Sequence, residues 1–442
     1  MPVTSLERLI YSAILSTFLL LGALFAWRVP DWQAPDEPAH YNYIAQVVAG
    51  DPLPIIEMGD WDNAYLETLK ANDFAPQYLD DLDQVQYEDH QPPLYYWLAS
   101  PIFGLSGGDL FAVRMVSVAL GALIIALSYA ITLAIVPERR HLALAVMALV
   151  AFLPQNLHIL ASVNNDALAG VVIAVLIGLC VRYLQGTNDS PVWLGVGVGV
   201  AFLTKTTIYF MAGVVLIVIA MRWWRTTERD LLTLAWHYVR FGIPSGLIAL
   251  FYWGRNLLTY GFPDFLGLQA HDAVVVGQPR RADFIAENGI VIYWRDALLT
   301  SFHSFWGQFG WMEARLADAL PGVFALIVAL VIVALAGLVM RAVRPPGDPL
   351  PSQVRVLLAL VIAFALAQYV YYNLTFVQFQ GRYLFVALIP TALGLVLGLD
   401  QWRVLLFDNA RWGRWALLVP FGALAVLNLY LIWRVLPCAL GC

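Results

Sequence analysis

Residues 9–28 read LIYSAILSTFLLLGALFAWR, and residues 29–41 continue VPDWQAPDEPAHY. The first run is about as long as a helix that crosses a bilayer's hydrocarbon core, roughly 20 residues. It exceeds the apolar core of a cleavable leader and lacks a clear small-residue cleavage site, so it reads as a retained signal anchor. The second run is polar, broken by prolines, and places Asp36 and Glu37 side by side where the chain leaves the apolar run.

The rest of the chain follows the first run. Of 442 residues, 60% are hydrophobic and 13% charged, against roughly 45–50% and about 25% in soluble domains; mean hydropathy is +0.70. So little charge cannot cover a water-facing surface. A soluble enzyme and a disordered chain are excluded, and a net charge of −6 leaves no basic footprint for nucleic acid. The chain reads as an all-α polytopic membrane protein, a single integral domain over 1–442. About eleven spans are expected, near 9–28, 112–136, 142–160, 166–184, 191–204, 207–222, 232–254, 318–341, 355–377, 383–400 and 415–436. The run 192–221 is too long for one helix, and Lys205 in its middle predicts a turn at 204–207.

Short loops carry Arg139 and Arg140; Arg222, Arg225 and Arg229; Arg341, Arg344 and Arg355; Arg403, Arg411 and Arg414. These fall on one side if the N-terminus is cytoplasmic, which places the C-terminus outside. Two long external segments follow, 31–109 and 255–317. The first has many acids and a single base, Lys70, between 31 and 89; the second is aromatic. Both read as interfacial helices and loops over the membrane face rather than core-forming units. Of three cysteines, Cys438 and Cys442 are either a bridge formed on an oxidising side or two unpaired thiols.

Polar groups at span ends carry the chemistry. Asp36 and Glu37 are either caps of a short helix over 38–48 or carboxylates at the lip of a cavity, where one would take a proton from a hydroxyl. Asn164, Asn165 and Asp166 open a span; Asp166 is either a cap or an oxygen ligand for a divalent cation such as Mg or Mn. Lys205, one of two lysines, is either snorkelling or paired with an anion, a phosphate or Asp36. Arg255 and Arg382 suit bidentate phosphate recognition. His90, ahead of Pro92 and Pro93, is either a solvated loop histidine or a phosphate or metal contact. No dinucleotide, Walker or zinc signature is present.

Five elements in order, Pro35-Asp36-Glu37-Pro38-Ala39-His40, Asn164-Asn165-Asp166, Leu203-Thr204-Lys205, residues 305–311 (FWGQFGW) and Gln380-Gly381-Arg382-Tyr383-Leu384, resemble an uncharacterised bacterial family of multi-pass membrane proteins. That family is similar to the GT-C glycosyltransferases, whose relatives include protein O-mannosyltransferases and the aminoarabinose transferase of lipid A. The resemblance implies a GT-C-like fold in the bacterial inner membrane and a sugar donor on a polyprenyl phosphate. It implies an acid at the start of the first external loop as base, Asp36 or alternatively Glu37. The donor phosphate would be held by Lys205, Arg255 and Arg382, with Asn165 and His90 beside them. The expected activity is inverting transfer of a sugar to an external lipid, glycan or protein. The rival readings are a lipid-linked glycan flippase and a non-catalytic envelope assembly protein.

Overall fold

Apolar runs fold as helices because, in lipid, only intrahelical bonding satisfies the backbone. The computed structural model describes residues 5–187, 190–226, 229–344, 350–407 and 413–441; Arg411 and Cys442 lie outside them. Helix α1 (Ser5–Arg28) leads into a segment of short helices, α2 (Glu37–Ala49), α3 (Asn63–Ala71) and α4 (Leu94–Ser106). Then come α5 (Leu110–Ile135), α6 (Arg140–Phe152), α7 (Pro154–Leu160), α8 (Asp166–Leu184), α9 (Pro191–Phe202), α10 (Met211–Trp223) and α11 (Leu231–Tyr260). A second segment holds α12 (Leu268–Val274), α13 (Arg281–Asn288), α14 (Ile290–Trp306) and an antiparallel hairpin of β1 (Gln308–Phe309) with β2 (Ala314–Arg315). The chain continues through α15 (Leu316–Ala319), α16 (Pro321–Val343), α17 (Ser352–Asn373), α18 (Leu388–Phe407), α19 (Gly413–Ala416), α20 (Val419–Tyr430) and α21 (Leu436–Ala439).

Among the described residues, eight helical stretches are long and apolar enough to cross a membrane, or nine if α6 and α7 count as one broken span. The expected eleven differs from this at three places. The stretch 142–160 is not one helix: α6 and α7 meet at 64°, because Pro154 has no N–H to offer the Val150 carbonyl. Two asparagines repair the break, Asn156 Nδ2 donating to Val150 O and Asn428 Nδ2 to Phe152 O, each at 2.8 Å. At 12 residues, α9 reaches only about 18 Å. Helix α11 has the length, 30 residues, but is too polar to be counted. It buries a single stripe, Phe241, Ser245, Ala249, Tyr252 and Asn256. The break expected at 204–207 is present, between α9 and α10. The short hairpin and an isolated antiparallel bridge between Arg280 and Phe376 are the departures from an all-helical chain among the described residues.

The two long segments, read from the sequence as interfacial helices and loops, share a small core. Ile56, Leu66, Leu69, Phe74 and Val85 of the first pack with Val274 and Val275 of the second, and Trp61 Nε1 donates to Val276 O at 2.7 Å. Elsewhere small residues let helices touch. A Cβ on Gly398 would run into the Ala334 carbonyl of α16, and one on Gly337 into the Gly398 carbonyl, the close approach that lipid-embedded helices favour.

One buried ion pair joins the start of the first segment to the bundle. Arg114, in the second turn of an otherwise uncharged α5, donates Nε to Glu37 Oε1 at 2.8 Å and Nη2 to Glu37 Oε2 at 2.6 Å. Its Nη1 reaches the Ala26 and Val29 carbonyls at 2.9 and 2.8 Å, and Nη2 also reaches Pro30 O at 3.1 Å. Glu37 Oε1 further accepts the Val163 N–H at 3.0 Å. All five guanidinium N–H groups are used, three of them on carbonyls at the exit of α1.

Removing one partner of a buried pair leaves an uncompensated charge, at a cost of about 3–5 kcal/mol. Arg114→Met is expected to lower the unfolding midpoint of the detergent-solubilised protein sharply. The double variant with Glu37→Gln, which buries no lone charge, should recover most of the loss. Equal melting of Arg114→Met and wild type would contradict this account.

Candidate functional site

Asp36 and Glu37 are neighbours with opposite tasks. Glu37 is wholly buried on Arg114, so the alternative reading of Glu37 as base is corrected: its carboxylate is a structural anchor. Asp36 stands in the left-handed region, φ 66° and ψ 0°, and makes no capping bond to α2, so the cap reading is corrected as well. This backbone turn, tolerated by Asp better than by most residues, sends its side chain the other way. Oδ2 accepts from Arg382 Nη2 at 2.5 Å, and Oδ1 accepts from the Tyr87 hydroxyl at 3.0 Å. Burial pushes the Asp36 carboxyl up, but the Arg382 guanidinium and the Tyr87 hydrogen bond outweigh it and hold it below the usual carboxylate range.

Arg382 arrives from the other end of the sequence because of the residue before it. Gly381 lies so close to α14 that a Cβ would run into the Ser301 carbonyl and the Phe305 backbone, and its N–H donates to Ser304 Oγ at 2.7 Å. Gln380 Oε1 accepts from Arg382 Nε at 2.6 Å. Nη1 is buried with no hydrogen-bond partner.

The second pair stands beside the first. Lys205, in extended backbone between α9 and the turn Thr206–Ile208, donates to Asp166 Oδ1 at 2.5 Å. Asp166 begins α8, yet its N–H is held by Asn164 Oδ1 at 2.8 Å, so the carboxylate is free to face Lys205. His40 of α2 marks the centre. It is buried, its Nδ1 lies 2.9 Å from the Tyr96 hydroxyl, and it feels Lys205, Asp36, Asp166 and Arg382 together. Burial foremost, then Lys205, pushes it down to about 3, so the imidazole is neutral at pH 7.

Glu88, which sequence reasoning passed over, lies within electrostatic reach of three of the same charges. Burial first and Asp36 next raise its carboxyl to about 8, against the pull of Lys205 and Arg382. Its Oε2 is buried without a partner. Tyr87, His40 and Arg114 were likewise given no role. Arg114 alone left a signal, a single charge inside an apolar run.

Three expected phosphate contacts sit otherwise. Arg255 spends its guanidinium on the Leu53 and Pro54 carbonyls, Asn256 and Tyr260, bracing the first segment away from Asp36. His90 is buried, 4.2 Å from His271 between ring centroids. Burial and then His271 push it well below its ordinary value, so it is no cation. Asn165 is fully buried at the edge of the cluster, Nδ2 lying 3.4 Å from both Gln91 Oε1 and the Tyr96 hydroxyl. Asp166 does not fit the expected divalent cation, because Lys205 already occupies it. No group of three or more His, Cys, Asp or Glu side chains could hold a metal among the described residues.

Asp166 and Arg382 line a small pocket of about 50 Å³, whose other walls are mostly apolar and include Ile124, Leu160, Ile173 and Phe385, between α5, α7, α8 and the turn Gly381–Ala387. A larger cavity of about 550 Å³ opens elsewhere, between α10, α11 and α17 beside Leu216, Trp224 and Tyr238, and holds none of these four charges.

The profile of a family described as "Predicted membrane protein (DUF2142)" matches residues 80–392. The crystal structure of ArnT from Cupriavidus metallidurans in the apo state is similar, with a TM-score of 0.53 and 15% identity over 97% of this chain and 73% of that one. ArnT from the same organism bound to undecaprenyl phosphate gives a TM-score of 0.50 and 16% identity over 99% and 74%. No curated protein matches. At such identity the likeness is one of fold, and that ArnT-like fold agrees with the GT-C-like architecture expected from the motifs.

Gly381→Ala is expected to push the turn off α14 and withdraw Arg382 from Asp36. In an assay of polyprenyl-phosphate binding it should match Arg382→Ala, a loss of about ten-fold or more, as for a charge-assisted contact of about 1.5–3 kcal/mol. Full binding in Gly381→Ala would show that the glycine does not place the arginine.

Proposed function

The chain belongs to the DUF2142 membrane protein family, and on that premise we propose that it is an integral membrane glycosyltransferase, moving a sugar from a polyprenyl-phosphate donor to an external acceptor. The observation that carries the reading is the convergence of Asp36, Asp166, Lys205 and Arg382 from four separate segments as two ion pairs around His40, with Asp166 and Arg382 lining a small pocket whose other walls are mostly apolar. Two cations at such a place suit a phosphate head. The ArnT structure holding undecaprenyl phosphate supports the same donor class. With the arginine-rich loops cytoplasmic, this end of the bundle faces outward, and the protein lies in the bacterial inner membrane.

The chemistry requires little more. The acceptor hydroxyl oxygen attacks the anomeric carbon from the face opposite the phosphate; the bond from that carbon to the phosphate oxygen breaks, and its electron pair leaves with the phosphate. Asp36 takes the hydroxyl proton. Lys205 and Arg382 stabilise the charge gathering on the leaving phosphate, which is acidic enough to depart unprotonated. A single displacement inverts the anomeric centre. Arg382 can serve both partners, since Nη2 holds Asp36 while Nη1 stands unpartnered. A carboxylate held this low is a weak base, so the incoming phosphate, by sharing the Arg382 guanidinium with Asp36, raises the carboxylate's basicity as the donor binds.

In proteoliposomes supplied with polyprenyl-phosphate sugars, Asp36→Asn should lower transfer by at least about 100-fold, the lower end of a positioned base's contribution. Lys205→Met and Arg382→Met should both weaken donor binding and slow turnover. An Asp36→Asn enzyme with wild-type turnover would remove Asp36 from the base role, and wild-type protein that translocates the donor without forming a glycosidic bond would make it a flippase.

A further inference from the structure

Glu88 has no task in the reaction as written, yet it lies within electrostatic reach of three of the four cluster charges, Asp36, Lys205 and Arg382. Asp36 approaches it from the turn before α2. Lys205 reaches it from the turn after α9 and Arg382 from the turn before α18, while Gln91 hydrogen-bonds it within its own segment. Tyr87, Tyr96 of α4 and Tyr372 of α17 also feel Glu88 or the carboxylates beside it, and Asp89 follows it in the chain.

Counting charge shows what Glu88 must be. Asp36 and Asp166 are two negative charges, and Lys205 and Arg382 are two positive ones, so the cluster is neutral. A third carboxylate would make it anionic, and a phosphate would be repelled from the place built to receive it. A carboxylic acid there keeps the balance and has an O–H to give. Within the described residues that O–H has nowhere to go, because Oε2 is buried and unpartnered, as is Arg382 Nη1. An unmet donor on each of two neighbouring groups is the complement of an oxyanion.

We propose that Glu88 acts in this site as a neutral carboxylic acid whose O–H is donated to an oxygen of the donor's phosphate, alongside Arg382. The proposal rests on the polyprenyl-phosphate reading above. It makes Glu88 a phosphate-binding residue whose charge state decides whether the donor is accepted. Burial and the adjacent Asp36 hold the proton on Glu88 up to about pH 8. Between pH 7 and 9 its neighbours are constant in charge: Asp36 is held low, His40 is neutral, Tyr87 and Tyr96 are pushed well above their ordinary value, and the guanidinium stays charged. Asp89, raised to about 8 by burial and holding Gln46 through Oδ2, also titrates there, which is why the test carries an Asp89 variant.

The test is binding of undecaprenyl phosphate to the full chain in nanodiscs, followed by tryptophan fluorescence from pH 7 to 9, where the probe's own second ionisation, near 6 for a phosphate monoester, is complete. Wild-type affinity should fall about ten-fold over this range, one proton being linked to binding. Glu88→Gln keeps a donor and cannot ionise; it should bind a few-fold more weakly at pH 7 and then stay level. Asp89→Asn should keep the wild-type slope. A ten-fold fall persisting in Glu88→Gln, a level wild-type profile, or loss of binding in Glu88→Gln at pH 7 would each overturn the role of Glu88 alone. Wild-type protein that binds no polyprenyl phosphate at any pH would overturn the donor reading and this proposal with it.

Discussion

A carboxylate and a guanidinium shut away from solvent, Glu37 and Arg114, constrain everything at the site end of the molecule. Neither charge is tolerable alone at that depth, so the pair must form, and forming it fixes four parts of the chain at once. Arg114 holds the carbonyls where α1 ends; Glu37 holds the start of α2; α5 carries the arginine; the Val163 N–H ties in the approach to α8. Because Glu37 is pinned, Asp36 has no freedom to wander. The left-handed turn then directs its carboxylate at Arg382. The order of the two acids is therefore meaningful: the second anchors, the first is presented.

The presented groups are arranged as two linked ion pairs rather than as bare charges. Each cation arrives with a carboxylate already attached, which lowers the cost of holding four charges in a poorly solvated place. It also leaves specific atoms unspent, Arg382 Nη1 and Glu88 Oε2. Recognition of an anion here works through those remaining donors and a shift of charge within the pairs, without an open positive surface.

What could be read from the sequence follows from how each property is encoded. Long apolar runs and isolated charges are local signals, so most spans and the break at Lys205 were legible, and Asp36, Asp166, Lys205 and Arg382 stood out as candidates. Partnership is not local. Nothing in the acid-rich run from Asp80 to Asp89 distinguishes Glu88 and Asp89, which turn inward, from Asp80, Asp81 and Asp83, which face solvent. Arg255 looks like Arg382 on paper, both at the edge of an apolar helix, but the carbonyls of Leu53 and Pro54 reach it first. Two signals were present and under-read: Pro154, which forbids a continuous helix over 142–160, and Arg114, a lone charge in α5 that had to have a buried acid.

The repaired break between α6 and α7 has a consequence for how the chain reaches its final form. The Phe152 carbonyl is met by Asn428, which is synthesised 276 residues later. Through most of insertion that carbonyl has no amide from α20 to bind, so the segment Pro154–Leu160 that floors the cluster is completed only when the late helices dock. Assembly of the site is thereby tied to the arrival of the C-terminal part of the bundle, and a stalled or incompletely inserted chain would hold its early helices without a finished cavity.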